Sequence, residues 1–139
     1  MPARDTYHEA VVNGLIADGW TITDDPLHLT VGDLDLYVDL GAEQNTIAAE
    51  KEGLKIAVEI KSFLSRSVAR NLEEALGQYR LYLNMLKELQ PDRILYLAIP
   101  WHAYERIFDA KVGQIILRHD SLKLIVFDAA QERIVKWIS

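Results

Sequence analysis

Alternating apolar and polar positions predict two strands near the centre of this chain. In the run 54–61, the alternation places three aliphatic residues on one face, Ile56, Val58 and Ile60. The opposite face then carries Lys55, Ala57, Glu59 and Lys61, so a carboxylate and an ammonium group lie side by side. The run 34–40 alternates in the same way and carries Asp35, Tyr37 and Asp39 opposite its leucines and Val38. Each predicted strand therefore has one apolar face and one face with acidic residues.

Apolar residues at helical spacing predict helices before, between and after the strands. The predicted helices span about 6–18, about 66–89 and about 101–118, the last with a break near 111–113. Asp5 is expected to cap the first helix, and Asp18-Gly19 ends it. Pro91 stops the second and longest helix.

Further strands complete an α/β pattern. They are predicted at 27–31, 46–50, 94–99, 122–127 and 133–138. Gly41-Ala42-Glu43 interrupts the pattern, and the strand at 46–50 would then form a hairpin with the strand at 54–61. The run 94–99 is apolar nearly throughout, which is typical of a strand covered on both faces. The order of elements predicts an α/β fold with a central mixed β-sheet flanked by helices.

Composition narrows the class of protein. The chain has 139 residues, of which 50% are hydrophobic and 26% charged, which predicts one globular domain over residues 1–139. It has no cysteine, no apolar run of the roughly 20 residues that span a bilayer, and no apolar signal region at its start, so we expect a cytoplasmic protein without a membrane segment.

The net charge of −6 disfavours a protein that coats DNA non-specifically, because phosphate neutralisation by basic residues supplies that affinity. It does not exclude an enzyme, since carboxylates that hold a cation become locally attractive to phosphate. A partner could also supply the affinity for DNA.

Asp39, Glu59 and Lys61 form the central candidate site. If the two strands are neighbours, Asp39 and Glu59 could hold Mg²⁺ or Mn²⁺, with the carbonyl group of Ile60 as a third ligand. Such a cation polarises a phosphoryl oxygen and lowers the pKa of an attacking water, while Lys61 could orient that water or offset charge in the transition state. The competing interpretation is a cross-strand ion pair between exposed strand charges.

Two other carboxylates compete with Asp39 for the role of strand ligand. Asp35 lies two residues away on the same face, and Glu50 would lie on the strand at 46–50. Asp39 ranks first because it stands at the end of its predicted strand, where ligands collect beside a loop.

Helical residues could support this site. Gln78 and Tyr82, at spacing i, i+4, share one face of the long helix and could hold a water, the scissile strand or Lys61. Glu9 shares a face with Val12 and Ile16 on the first helix and could point inward, where it would need a partner. The alternatives are an ordinary half-buried aromatic edge for Tyr82 and a water-exposed rim position for Glu9.

The other polar and aromatic candidates favour structural roles. Arg66, Arg70 and Arg80 could approach DNA phosphates, but acidic neighbours on the same helix favour a solvated face. The four histidines show no ligand spacing and are expected at the surface or its boundary. Trp101, Tyr104 and Phe108, at helical spacing, favour a core or interface over a base-stacking platform.

The order of these motifs resembles the PD-(D/E)XK nuclease superfamily. The resemblance lies in a helix with Glu9, a strand with Asp39, the Glu59-Ile60-Lys61 motif and a helix with Gln78 and Tyr82. It implies a restriction-endonuclease-like fold, although Asp39 follows Val38 where the motif has proline.

A more specific resemblance covers essentially the whole chain. The segments 2–8, 18–23, 38–43, 48–53, 58–63 and 75–79 resemble the XisH family. That family is cyanobacterial and is named for control of the excision of the fdxN DNA element, which a site-specific recombinase removes during heterocyst development. Its members often accompany a small protein, XisI. The resemblance implies a process and a nuclease-like fold, and it leaves the reaction open.

Three functions are compatible with these features. The first is a domain that assists DNA excision as a Mg²⁺- or Mn²⁺-dependent endonuclease, for which a homodimer would suit cleavage of two strands. The second is a non-catalytic regulatory subunit that binds an XisI-like protein and the recombinase. The third is a restrained nuclease in a toxin–antitoxin-like pair, with the partner as its inhibitor.

Overall fold

The structure is a computed structural model, and it describes residues 5–44 and 53–139. In chain order the elements are α1 (His8–Ala17), β1 (Thr21–Asp24), β2 (Leu27–Val31), β3 (Leu34–Val38), β4 (Leu40–Gln44), β5 (Leu54–Ile60), α2 (Val68–Leu89), β6 (Arg93–Pro100), α3 (Trp101–Ala103), a π-helical turn (Tyr104–Phe108), α4 (Lys111–Asp120), β7 (Leu124–Asp128) and β8 (Arg133–Ile138). No helix in these two ranges is long and apolar enough to cross a membrane.

Within the described residues, six strands form one mixed sheet in the order β1-β4-β5-β6-β7-β8, and β2 pairs with β3 in a separate hairpin. The central strands β5, β6 and β7 run parallel, whereas β4 and β8 pair antiparallel with β5 and β7. The parallel strands are joined through helices, as a parallel connection requires. The prediction of a central mixed sheet flanked by helices is confirmed.

The two faces of the sheet pack against different helices. On one face, Val11 and Leu15 of α1 lie in a buried cluster with Ile56, Val58 and Ile60. On the other face, the α2-side core, helix α2 packs against the alternate residues of the sheet: Ala57, Leu95, Leu97, Ile99 and Val126. The alternation in β5 therefore separates its two faces as the sequence predicts. Glu59 lies on the α2 side, since it is two residues beyond Ala57.

The predicted strand at 34–40 is not continuous, and this part of the prediction is wrong. The chain bends at Asp39, so β3 ends at Val38 and β4 begins at Leu40. The bend is held by tertiary contacts, because the backbone N–H of Ile60 donates to Asp39 Oδ2 at 2.7 Å. Sequence alternation carries no information about such a contact.

The segment predicted to interrupt the sheet instead belongs to it. Gly41, Ala42 and Glu43 lie within β4, opposite residues 55–57 of β5. A side chain at Gly41 would crowd Asp24, because a Cβ there would lie 2.7 Å from Asp24 Oδ2. This glycine therefore lies in a paired strand close to the Asp24 side chain and does not mark a turn. The strand predicted at 46–50 lies outside the described residues, and β4 takes the antiparallel position beside β5.

The third helical region differs from its prediction in where it breaks. The break lies at Asp109 and Ala110, after the π-helical turn, and α4 then begins at Lys111. Gly113 lies inside α4, where a Cβ would approach Phe108 Cα to 2.1 Å. Close contact between α4 and the preceding turn therefore explains the glycine that the sequence suggested as a breaker.

Candidate functional site

A polar cleft of about 160 Å³ lies at the C-terminal end of β5, between the sheet and α2. Its lining residues come from four segments of the chain: Asp5, Tyr37, Asp39, Glu59, Ile60, Lys61, Gln78 and Tyr82. The structure thus brings together Asp39, Glu59, Lys61, Gln78 and Tyr82, as well as Ile60. Glu59, Ile60 and Lys61 follow one another at the C-terminal end of β5, and α2 lies over the face of the sheet that carries Glu59.

Asp39 and Glu59 are fixed by reciprocal contacts to the backbone. The N–H of Ile60 donates to Asp39 Oδ2 at 2.7 Å, and the N–H of Asp39 donates to Glu59 Oε1 at 3.3 Å. The two carboxyl groups are also close enough to hydrogen-bond each other when one is protonated. The bend between β3 and β4 is therefore the feature that directs Asp39 toward Glu59.

Burial changes the acidity of both groups. Glu59 is 5% exposed, and burial, with the nearby charge of Asp39, raises its pKa to about 9 against the lowering effect of Lys61. Burial likewise raises the pKa of Asp39, although the Ile60 N–H, Glu59 and the charge of His8 partly counteract this rise. Without a cation, the pair therefore retains a proton near neutral pH.

Lys61 lies between two carboxylates. Its Nζ is 3.9 Å from Glu59 Oε2 and 3.7 Å from Glu74 Oε1. The Glu59 side chain is buried, whereas the Glu74 side chain is 62% exposed. Both separations exceed hydrogen-bonding distance, so the ammonium group is held electrostatically and keeps donors for an incoming anion.

Gln78 and Tyr82 close the cleft from α2. Tyr82 is 7% exposed, and burial, with the charges of Glu59 and Asp39, raises its pKa to about 12. Its phenol therefore remains a protonated donor at neutral pH. The Oε1 atom of Gln78 is buried and has no hydrogen-bond partner among the described residues. A buried acceptor without a partner is costly, which makes this amide a candidate to bind a donor or cation.

The oxygen atoms of this cleft suit a hard cation. Carboxylates from Asp39 and Glu59, the Ile60 carbonyl and the Gln78 amide are the ligand types that Mg²⁺ and Mn²⁺ prefer. Residues 5–44 and 53–139 contain no group of three or more His, Cys, Asp or Glu side chains that could hold a metal ion. Mg²⁺ commonly binds through one or two carboxylates and retains several waters, so the pair fits a partly hydrated ion.

Two of the predicted or competing carboxylates do not line the cleft, and a third lies outside the described residues. Glu9 is exposed on α1 and is not among the lining residues. Asp35 is exposed on the β2–β3 hairpin, where it hydrogen-bonds His28 at 2.8 Å and Thr30 at 3.1 Å. Glu50 lies outside the described residues. Of the strand carboxylates considered, Asp39 is the one that the described structure places beside Glu59.

Asp5 lines the cleft, whereas the sequence indicated only a helix cap. The capping prediction is wrong, because α1 begins at His8 and Tyr7 occupies its N-cap position. Asp5 Oδ1 accepts from the N–H of Tyr7 at 2.9 Å, and its Oδ2 accepts from the N–H of Ser62 at 3.2 Å. It therefore joins the start of α1 to the loop after β5. This contact spans 57 residues, so no local pattern could have predicted it.

His8 is buried, contrary to its predicted position at the surface or its boundary. It is 3% exposed, its Nε2 lies 2.8 Å from Asp25 Oδ1, and its Nδ1 has no partner in the described part of the chain. The sequence did hold a signal, because His8 shares the helical spacing of the buried residues Val11 and Leu15.

The comparisons with known proteins agree with this fold. The family model for the XisH protein matches residues 1–135. A solved structure of a fdxN element excision controlling factor protein from Anabaena variabilis is 42% identical with a TM-score of 0.86, covering 98% of this chain and 100% of that one.

A second solved structure, an XisH family protein from Nostoc punctiforme PCC 73102, is 40% identical with a TM-score of 0.86. It covers 97% of this chain and 100% of its own. No match was found among curated proteins. The resemblance seen in the sequence is confirmed over nearly the whole length, and the chain belongs to the XisH family.

Proposed function

We propose that this chain is a controlling factor for the excision of an fdxN-type DNA element, and that it acts as a Mg²⁺- or Mn²⁺-dependent DNA endonuclease. The process is supported by the similar protein from Anabaena variabilis, which is described as an fdxN element excision controlling factor. The reaction is supported by the cleft at the end of β5, where acidic and basic groups meet.

The observation that carries the proposal is the buried Asp39–Glu59 pair beside Lys61. Two carboxyl groups with raised pKa values are unfavourable for folding, since burial penalises their ionised forms. A divalent cation would stabilise both ionised forms. An ordinary cross-strand ion pair would need neither a second carboxylate nor this degree of burial.

The chemistry follows from the positions of these groups. A bound Mg²⁺ or Mn²⁺ supplies polarisation of a phosphate oxygen and a lowered pKa for an attacking water. Asp39 and Glu59 would hold the ion, with the Ile60 carbonyl and Gln78 as further oxygen donors. Lys61 would neutralise charge that develops on the phosphate. Tyr82, which stays protonated, would donate a hydrogen bond into the cleft.

The proposal is tested by cleavage of supercoiled plasmid and of branched DNA in Mg²⁺ or Mn²⁺. Wild type is compared with Glu59→Gln and Lys61→Ala, and Asp35→Asn serves as the matched control because this carboxylate is exposed on the hairpin away from the cleft. Loss of a metal ligand or a charge-stabilising group should reduce the rate about 100-fold or more. Asp35→Asn should cleave at the wild-type rate.

Cleavage that is equal in wild type and Glu59→Gln would indicate a contaminating nuclease and would refute the proposal. The proposal is also refuted if neither metal supports cleavage of either substrate, with or without an XisI-like partner added.

A second candidate function is a regulatory subunit that binds an XisI-like protein and the recombinase. It is favoured by the net charge of −6 and by an apolar pair at the tip of the β2–β3 hairpin, where Val31 and Leu34 are 37% and 52% exposed. In this case Leu34→Asp should weaken partner binding measured by titration calorimetry, whereas Glu59→Gln should not. The reverse pattern would exclude it.

A further inference from the structure

A partly exposed aromatic platform lies beyond the end of β6. We define the platform as Trp101, Tyr104 and Lys136. The Trp101 and Tyr104 rings stack with centroids 5.9 Å apart and an interplanar angle of 28°. The Nζ of Lys136 lies 3.9 Å from the centre of the Tyr104 ring and 5.6 Å from that of Trp101. Trp101 is 40% exposed, so the platform reaches solvent.

The platform is held in place by the core beneath it. The π-helical turn sets Tyr104, and the N–H of Asp109 donates to the carbonyl of Tyr104 at 2.8 Å. Ile107 and Phe108 of the same turn are buried in the α2-side core. π-Helical turns often occur at functional sites, where they redirect a side chain from a regular helical path. Here the turn combines a buried anchor with the half-buried ring of Tyr104, on which the exposed Trp101 ring stacks.

The platform and the cleft lie on the same face and at the same end of the sheet. Glu59 of β5 pairs with Leu97 of β6. Two residues further along β6, Ile99 pairs with Val126 of β7. Val126 pairs in turn with Lys136 of β8. Paired residues share a face, so Lys136 and Glu59 are on the α2 side. Three strand spacings and two residues along the strand separate them, which is about 16 Å.

A direct packing contact also joins the two regions. Phe63, in the loop that follows Lys61, meets Phe108 edge to face with ring centroids 6.4 Å apart. The loop that leaves the cleft is therefore supported by the same turn that carries Tyr104. One short oligonucleotide could contact both regions.

We infer that the platform binds an unpaired nucleobase of a single-stranded or branched DNA segment while the cleft holds a phosphate of the same strand. This inference rests on the proposed function for the substrate class, but the platform's binding can be measured without cleavage. Aromatic faces stack on any base, and a lysine beside them attracts the adjacent phosphate. A paired duplex hides its base faces, so the platform would favour single-stranded DNA.

The test is binding of a fluorescein-labelled single-stranded 20-mer of thymidine, measured by anisotropy in EDTA so that no metal-dependent cleavage occurs. Trp101→Ala should weaken binding about 5- to 150-fold, the range for loss of one base–aromatic stack. Trp101→Phe retains an aromatic face and should stay within about threefold of wild type. Val112→Ala, at a similarly exposed apolar position on α4, should bind as wild type does.

Intrinsic fluorescence gives a second measurement. Of the three tryptophans, Trp20 is 8% exposed and Trp137 packs between Trp20 and Tyr96, whereas Trp101 is exposed. Oligonucleotide should therefore quench wild-type emission, and Trp101→Phe should bind without this quenching. Thermal unfolding of each variant checks that the fold is retained.

Failure of the platform and failure of the nuclease proposal are distinguishable. Binding that Trp101→Ala leaves unchanged would overturn the platform, even if plasmid cleavage still depends on Glu59. Binding that depends on Trp101 would support the platform, even if no cleavage is found. Loss of a protein partner in Trp101→Ala, with no oligonucleotide binding by wild type, would overturn it in favour of a protein contact.

Discussion

Replacement of Glu59 by glutamine should make the free energy of unfolding of the metal-free protein less sensitive to rising pH. Burial raises the pKa of Glu59 from 4.5 to about 9. At pH values between these two, the carboxyl group is protonated in the folded protein and ionised in the unfolded chain. Unfolding then releases a proton, so raising the pH favours the unfolded state. The stabilising protonated form is fully present below pH 4.5 and is lost as the pH rises through about 9.

The size of the effect follows from linkage. One group that releases one proton on unfolding changes the free energy of unfolding by about 1.4 kcal/mol per pH unit. Between pH 6 and pH 8 wild type should therefore lose at most about 3 kcal/mol through Glu59. Both pH values lie above the isoelectric point near 5.1, so the protein keeps a net negative charge that limits aggregation. Glutamine resembles the protonated carboxyl group and does not titrate, so the variant should lack this loss.

The assay is urea unfolding in EDTA at pH 6, 7 and 8. Glu73→Gln, an exposed carboxylate on α2, is the matched control and should follow wild type. If the free energy of unfolding changes with pH in the same way in wild type and Glu59→Gln, the reasoning is refuted. That result would show that Glu59 is ionised in the folded protein across this range.

Two packing predictions concern residues outside the cleft. Tyr79→Phe should lower the free energy of unfolding by about 1–3 kcal/mol in urea titrations, since the buried Tyr79 hydroxyl donates to the carbonyl of Leu95 at 3.2 Å and accepts from the N–H of Lys123 at 3.3 Å; an unchanged midpoint would contradict these bonds. Gly113→Ala should cost about 1–3 kcal/mol, because its Cβ would lie 2.1 Å from Phe108 Cα and 2.2 Å from the carbonyl oxygen of Ile107; a lowered melting temperature is the expected signal, and a raised one would show that this contact is wrong.

The order of elements could be predicted from the sequence wherever local alternation decides the structure. The run 54–61 became β5 with its aliphatic residues and Glu59 on opposite faces, because strand geometry alone fixes that separation. The long helix was predicted for the same reason, since its apolar spacing persists from Leu72 to Leu86. The sequence therefore predicted that Gln78 and Tyr82 share a face of α2, and they do so in the structure.

The partner strand and the bend at Asp39 could not be predicted in this way. Both depend on long-range pairing: Ile60 donates to a carboxylate 21 residues earlier, and β4 occupies the place that the sequence assigned to 46–50. The same limit applies to Asp5, which reaches the cleft through Ser62. Local pattern indicated the candidate site residues, and tertiary contacts decided which of them meet.

Several predictions from the sequence stay predictions. They are Mg²⁺ or Mn²⁺ as cofactor, DNA as substrate, binding to an XisI-like protein and the recombinase, and homodimer formation. Of these predictions, the cation can be tested most directly, because its proposed ligands are individual residues of the cleft that can be replaced.

The most direct test of the central claim is titration calorimetry with Mn²⁺ at pH 7, run in two buffers of different ionisation enthalpy. We predict binding of Mn²⁺ with release of about one proton, because Glu59 is protonated before the ion binds. Glu59→Gln should abolish this binding, and Asp35→Asn should retain it. Absence of Mn²⁺ binding by wild type, or equal binding by Glu59→Gln, would contradict a metal site at Asp39 and Glu59.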